Sequence, residues 1–204
     1  MKPEPLDSVE YLRAEGFDLT QAAKALEFDT FVQSNYPGTR GCLEEYEGYP
    51  CIFYVAVHQK SDVVGVVRKI LPSPLGFTVT HLQLTPEWEE KAKTIIATER
   101  CEEISTTALK KGFRGRNNFS CVLHLFRMAF QDALAGGVRY WFAPIEPPVL
   151  MHYVATFHFG FKAIGEAQDY LGAPTIPAVI NLEEGFEQIT KADPELADFF
   201  REGL

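Results

Sequence analysis

The stretch KKGFRGRNN at 110–118 runs directly into FSCVLHLFRMAFQDALAGG, and this junction constrains the fold more than any other feature of the chain. Phe119, Val122, Leu123, Phe126, Phe130, Ala133 and Leu134 recur at three- and four-residue spacing, which predicts an amphipathic helix, and Gly136 with Gly137 supplies its stop signal. Before the loop, EEISTTA at 102–108 alternates weakly and reads as a strand; after the helix, RYWFA at 139–143 reads as another. The unit is therefore strand, basic glycine-containing loop, helix, strand. At such a junction the first N–H groups of the helix lack intrahelical partners and carry the positive end of its dipole. With Lys111, Arg114 and Arg116 close in sequence, phosphate or another anion is a reasonable ligand. The plainer reading is that Asn117, Asn118 and Ser120 merely cap the helix and face water.

The flanking segments suggest how this unit is enclosed. LTQAAKALEFDTFVQS at 19–34 predicts a helix, which Asn35, Pro37 and Gly38 break. The hydrophobic period then changes: CIFYVAV at 51–57 and VVGVVRKI at 63–70 predict strands joined by HQKSD, and FTVTHLQL at 77–84 predicts a third after PSPLG. Pro86 opens a helix over WEEKAKTIIATE, and Pro147 and Pro148 precede a helix over VLMHYVATFHF. FKAIG at 161–165 and AVINL at 178–182 predict the last strands, and the acidic tail reads as helical or frayed. The order implies an α+β plan, three layers α/β/α around a mixed, mostly antiparallel sheet. At 204 residues the chain suits one domain over 1–204, with the best-supported core at 102–165.

Charge and cysteine usage narrow the partners. The formal net charge of -9 disfavours general nucleic-acid binding. The charge is uneven: residues 106–140 hold Lys110, Lys111, Arg114, Arg116, Arg127 and Arg139 against Asp132 alone. Cys42, Cys51, Cys101 and Cys121 form no CxxC pair and no metal-like spacing with histidine, so they read as buried free thiols and no metal is expected. Neither a secretory signal nor an apolar run of the ~20 residues needed to span a bilayer is visible, so a cytoplasmic protein without stable membrane insertion is expected. The 16 phenylalanines fit a Phe-rich core first and an apolar acceptor for a lipid-like group second.

From Glu102 to Gly165 the order of elements resembles the core of the GNAT acyltransferase superfamily. The Phe113-Arg114-Gly115 opening is similar to that family's aromatic-Arg-Gly loop, and HFGF at 158–161 is similar to its later helix ending in Gly-Phe. Glu103-Ile104-Ser105 resembles the Glu-x-Ser of the acyl-homoserine-lactone synthase and N-acyl amino acid synthase branch, with Thr106 where that branch often carries Arg. The resemblance implies an N-acyltransferase with no tightly bound cofactor. Its donor would be acyl-CoA or the phosphopantetheine of acyl carrier protein, and its acceptor the amine of a small molecule such as an amino acid. It also implies that Lys111, Arg114, Gly115, Arg116, Asn117, Asn118 and Phe119 hold the donor's phosphates. The loop has Asn or Phe where the family has its next glycine. Two alternatives therefore stand beside the enzyme: a catalytically silent acyl-thioester or CoA sensor, and a structural or protein-interaction domain.

Acyl transfer to an amine needs a neutral amine, polarisation of the thioester carbonyl and a proton or positive charge for the leaving thiolate. Glu103 is the candidate base or amine-binding residue, because strand alternation puts it on one face with Ser105 and Thr107. Ser105 is a candidate for orienting the substrate. The resemblance implies a tyrosine acid four residues before the helix-ending glycine; Thr156 occupies that position and Tyr153, almost a turn earlier, is the candidate. Cys101 and Cys121 lack a neighbouring Cys–His signature and are poor nucleophiles.

Overall fold

The computed structural model describes residues 6, 8–33, 46–114 and 119–203, with the Phe119 side chain excepted. Its strands are β1 (Val9–Arg13), β2 (Cys51–His58), β3 (Asp62–Ile70), β4 (Cys101–Leu109), β5 (Tyr140–Ile145), β6 (Lys162–Ala163), β7 (Gln168–Tyr170) and β8 (Ala173–Asn181). Its helices are α1 (Phe17–Gln33), α2 (Pro86–Thr98), α3 (Phe119–Ala135), α4 (Pro147–Thr156), α5 (Leu182–Ala192) and α6 (Pro194–Arg201). The strands join in the order β1-β2-β3-β4-β5-β8-β6, with β7 paired to β8. Every pairing is antiparallel except β4 with β5. The mixed, mostly antiparallel sheet flanked by helices agrees with the three-layer expectation.

Helices cover both faces of the central strands, which is why β2 and β3 read as near-continuous apolar runs rather than half-buried alternations. Phe53, Val55, Val57 and Val66 pack with Ala23 and Leu26 of α1 on one face. Tyr54, Ala56, Val64 and Val67 pack on the other face with α3 and the C-terminal helices, through Phe126, Phe130, Phe199 and Phe200. A third cluster lies under α2, joining Ala92 and Ile95 to Ile70, Phe77, Val79 and Phe142. Gly65 lets α3 approach closely: a Cβ there would stand 2.9 Å from Cys121 Sγ and 2.8 Å from Leu109 Cδ2. Gly137, at φ +67°, ends α3 in the left-handed region as expected of a stop glycine.

One predicted strand is absent. Residues 77–84 form a turn with a 3-10 helix at Thr78–His81. The buried positions Phe77, Val79 and Leu82 leave the two-residue period after Val79, and Thr80 and Leu82 donate their N–H groups back to Phe77 and Val79. The Glu103 carboxylate holds this turn, accepting from Thr78 Oγ1 at 2.5 Å and the Val79 N–H at 2.8 Å. Conversely, β1 and the three-residue β7 have no counterpart in the sequence reading. β1 is an edge strand and mixes exposed Glu10 and Arg13 with half-buried apolar residues, so its alternation is weak.

Candidate active site

The parallel contact between β4 and β5 is short. It runs through Cys101↔Tyr140, Glu102↔Trp141 and Glu103↔Phe142 and then stops. Beyond it β4 stays with β3 as far as Leu109, while Ala143, Pro144 and Ile145 pair with Ala178, Pro177 and Ile176 of β8. The sheet therefore splits in its middle. A cavity of about 210 Å³ fills the split, with Ser105 and Thr107 of β4, Tyr46, Phe126, Glu146 and Tyr153 among its walls.

A β-bulge in β4 sets which side chains reach it. Val67 and Lys69 of β3 are partnered by Thr107 and Ile104, so one intervening residue on β3 faces two on β4, Ser105 and Thr106. Both of these turn toward the α1 face: Thr106 Oγ1 donates to Glu27 of α1, and Ser105 lies beside the Tyr46 hydroxyl. Thr107 instead meets Tyr153 on the α3 side. The expectation that Glu103, Ser105 and Thr107 share one face thus holds for the first two and fails for Thr107, because the extra residue shifts the alternation by one.

Glu103 is fully buried, and its carboxylate lies against the Thr78–His81 turn rather than on the cavity surface. Glu102 faces the other way, 2.9 Å from Lys69 Nζ, and accepts from Trp141 Nε1 at 3.2 Å. Lys69 also meets Asp132 Oδ2 at 2.6 Å, and the Tyr54 hydroxyl donates to the same oxygen at 2.5 Å. This network ties β2, β3, β4 and β5 to α3. Burial would raise the Asp132 carboxyl, but the hydrogen bonds from Lys69 and Tyr54 prevail and hold it below its usual range.

The cavity walls carry hydroxyls. Tyr153 is buried, which pushes its phenol up to about 12 against a hydrogen bond with Thr107 that draws it down. Burial, and then the Glu103 charge, raises the Tyr46 phenol, while the neighbouring Ser105 and Tyr170 hydroxyls oppose the shift. Both phenols thus keep their protons at neutral pH. Ser105 Oγ lies near the Tyr46 hydroxyl but is buried with no hydrogen-bond partner among the described residues. The Arg68 guanidinium lies 4.7 Å over the Tyr46 ring, and its charge is matched by Glu27 in a buried two-point pair. Thr156 bonds His152 Nδ1 at 3.1 Å and is not a cavity residue, so of the two α4 candidates Tyr153 faces the split.

Burial lifts the thiols of Cys101 and Cys121 to about 12, which leaves them poor nucleophiles. Among the described residues no group of His, Cys, Asp and Glu is arranged to hold a metal ion, and no helix is long and apolar enough to cross a membrane. The basic loop leaves the C-terminal end of β4. Lys110 donates its N–H to Val64 O and pairs with Asp62, Lys111–Phe113 make a 3-10 turn, and Arg114 Nε donates to Leu109 O at 2.6 Å. Lys111 and Arg114 are exposed there, and Phe119 begins α3. Gly115, Arg116, Asn117 and Asn118 lie outside the described residues, as does Cys42.

Sequence reasoning missed Tyr46, Tyr170 and Glu146. Tyr46 and Tyr170 belong to segments without clear periodicity, and only the fold brings them to β4. Glu146 had a local signal, since it immediately precedes Pro147 and Pro148 at the start of α4.

No protein-family model matches the sequence, and no curated protein matches it. Solved structures do. FeeM, an N-acyl amino acid synthase from uncultured soil microbes, superposes with a TM-score of 0.72 at 18% identity, over 90% of this chain and 96% of that one. BjaI, a CoA-dependent acyl-homoserine lactone synthase, superposes at 0.60 with 18% identity, over 92% of this chain and 84% of that one. The acyl-homoserine lactone synthase LasI gives 0.54 at 15%, over 85% and 89%. At these identities the likeness is one of architecture: the chain has the fold of the GNAT acyltransferase superfamily.

Proposed function

We propose that this protein is an N-acyltransferase, moving an acyl group from a phosphopantetheine thioester to the amine of a small acceptor such as an amino acid. The observation that carries this reading is the split between β4 and β5, with hydroxyls on both walls. A space of about 210 Å³ suits a thioester end and a small amine side by side.

In this reading the amine nitrogen attacks the thioester carbonyl, the C–N bond forms and the C–S bond breaks. Tyr153 gives its proton to the leaving thiolate. Its high affinity for that proton ensures that it arrives protonated. The ammonium loses two protons overall. One replaces the proton that Tyr153 gave up; the other is released to solvent. Lys111 and Arg114, at the mouth of the α3 junction, would hold the donor's phosphates, together with the backbone N–H groups that open α3. The donor is acyl-CoA or acyl carrier protein, and the exposed bases of this loop suit either.

The test is direct. Purified protein is given decanoyl-CoA and decanoyl-acyl carrier protein with a panel of amino acids and primary amines, and products are read by mass spectrometry alongside free-thiol release. An N-acylated product is the expected outcome. Thioester binding without turnover would replace this reading with a silent sensor, and neither binding nor turnover would end both.

A further inference from the structure

We infer that a second hollow, beside the cavity, is a capture site for a free amino acid with an apolar side chain, in which Lys24 receives the carboxylate and Glu47 the ammonium group. The binding stands on the hollow itself; the role of the bound molecule as acceptor rests on the acyl-transfer reading.

The hollow has a volume of about 300 Å³ and is lined by Gln21, Lys24, Ala25, Phe28, Glu47 and Arg68. The four residues from α1 are spaced three and four apart, so they share one face of that helix. The face is graded along its length. Gln21 and Lys24 are polar, while Ala25 and Phe28 are apolar and exposed.

Charge decides the ligand. Arg68 is matched by Glu27 in the buried two-point pair, which leaves Lys24 and Glu47. Among the described residues, these two form no ion pair with each other or with any other group. Opposite charges that line one hollow without meeting are complementary to a ligand that carries both charges itself. A simple anion would meet Glu47 as well as Lys24, and a simple amine Lys24 as well as Glu47. A zwitterion satisfies both, and Ala25 and Phe28 offer apolar contact to its side chain.

Three links join this hollow to the cavity. Along α1, Phe28 lines the hollow and Phe31, one turn on, lines the cavity. Tyr46 and Glu47 are consecutive, and line the cavity and the hollow respectively. Arg68 of β3 lines the hollow, Thr106 of β4 lines the cavity, and Glu27 accepts hydrogen bonds from both. Because Glu47 adjoins Tyr46, the ammonium end of the bound amino acid is the end held next to the cavity.

The experiment uses the full chain and reads binding and turnover separately. L-Phenylalanine and L-leucine are titrated into the protein by calorimetry, beside the single-charge analogues phenethylamine and 3-phenylpropanoate. Wild type should bind L-phenylalanine about tenfold more tightly than either analogue. Lys24→Gln should abolish the advantage over phenethylamine, and Glu47→Gln the advantage over 3-phenylpropanoate. Lys24→Arg, which keeps the charge, should retain most of the affinity. In turnover with decanoyl-CoA or decanoyl-acyl carrier protein, Lys24→Gln and Glu47→Gln should each raise the amino acid's KM about tenfold and leave the thioester KM unchanged. Lys24 is half-buried and Glu47 exposed, so thermal melting should match wild type; should Lys24→Gln fail to fold, Glu47→Gln decides alone. A wild type that binds neither amino acid overturns the capture site, as does binding that neither substitution weakens. Amino acids bound in this charge pattern but never acylated would end the acyl-transfer reading and leave the hollow a binding site. Acylation with an acceptor KM that neither substitution moves would leave acyl transfer standing and overturn the inference.

Discussion

Ser105 and Thr107 stand two positions apart on β4, yet Ser105 turns to Tyr46 and Thr107 to Tyr153, on opposite faces of the sheet. A regular strand would put both on one face. The single extra residue between Val67 and Lys69's partners makes one strand furnish both walls of the split.

If Tyr153 supplies the leaving group's proton, its importance should depend on how much that group needs one. Tyr153→Phe should lower kcat by about a hundredfold with an alkyl thioester such as decanoyl-CoA. With an aryl thioester, whose thiol is far more acidic, the loss should shrink to about tenfold or less. The measurement is the slope of log kcat against thiol pKa for wild type and variant. Equal slopes would remove Tyr153 from the acid role and leave it a packing residue against Phe126, whose ring centroid is 5.4 Å away.

Much of this frame is legible in the sequence, and the limits of that reading have physical causes. The long apolar stripe of α3, the runs of β2 and β3 and the Pro86 start of α2 each declare themselves locally. The FRG loop resembles that of the GNAT superfamily, whose fold the chain has. Residues 77–84 mislead because Phe77, Thr78 and Val79 have strand chemistry, while a distant carboxylate, Glu103, fixes their backbone as a turn. The bulge in EISTTA has no glycine or proline to mark it, so the side on which Thr107 lies could not be read. Tyr46 and Tyr170 reach the cavity only through tertiary contacts.

Lys69 tests how much of the fold depends on its buried charge network. Its side chain is 1% exposed and bridges Glu102 and Asp132. Lys69→Met keeps the volume but leaves Glu102 buried without that cation, and should cost about 3–5 kcal/mol. At about 2–4 °C per kcal/mol this is a fall in Tm of about 10 °C, read by calorimetry. Adding Glu102→Gln should restore part of the loss, since Asp132, with a third of its side chain exposed, can still be hydrated. Failure of the second substitution to recover any stability would mean that packing, not charge, makes Lys69 necessary.

His124 should make the fold sensitive to mild acid. Its ring stacks on Tyr11 of β1 at 4.5 Å and meets Phe199 of α6 edge-on at 4.8 Å, so it joins the sheet's edge strand to the C-terminal helix. Burial lowers its pKa below the usual 6.5; the Ser120 backbone contact opposes this, Arg127 adds to it and Glu202 opposes it. Because the native state holds the proton less tightly than the unfolded chain, stability is complete above pH 6.5 and declines as pH falls through the lower native value. Asp132, whose native pKa is also lowered, acts further down, below its ordinary 3.8, so the two are separable. The expected result is a Tm that falls by a few degrees between about pH 7 and 5 in wild type. In His124→Gln that slope should flatten while the Tm at pH 8 drops, because the stacked ring is lost. An identical pH slope in the two proteins would assign the acid sensitivity to other groups and leave His124 a packing residue alone.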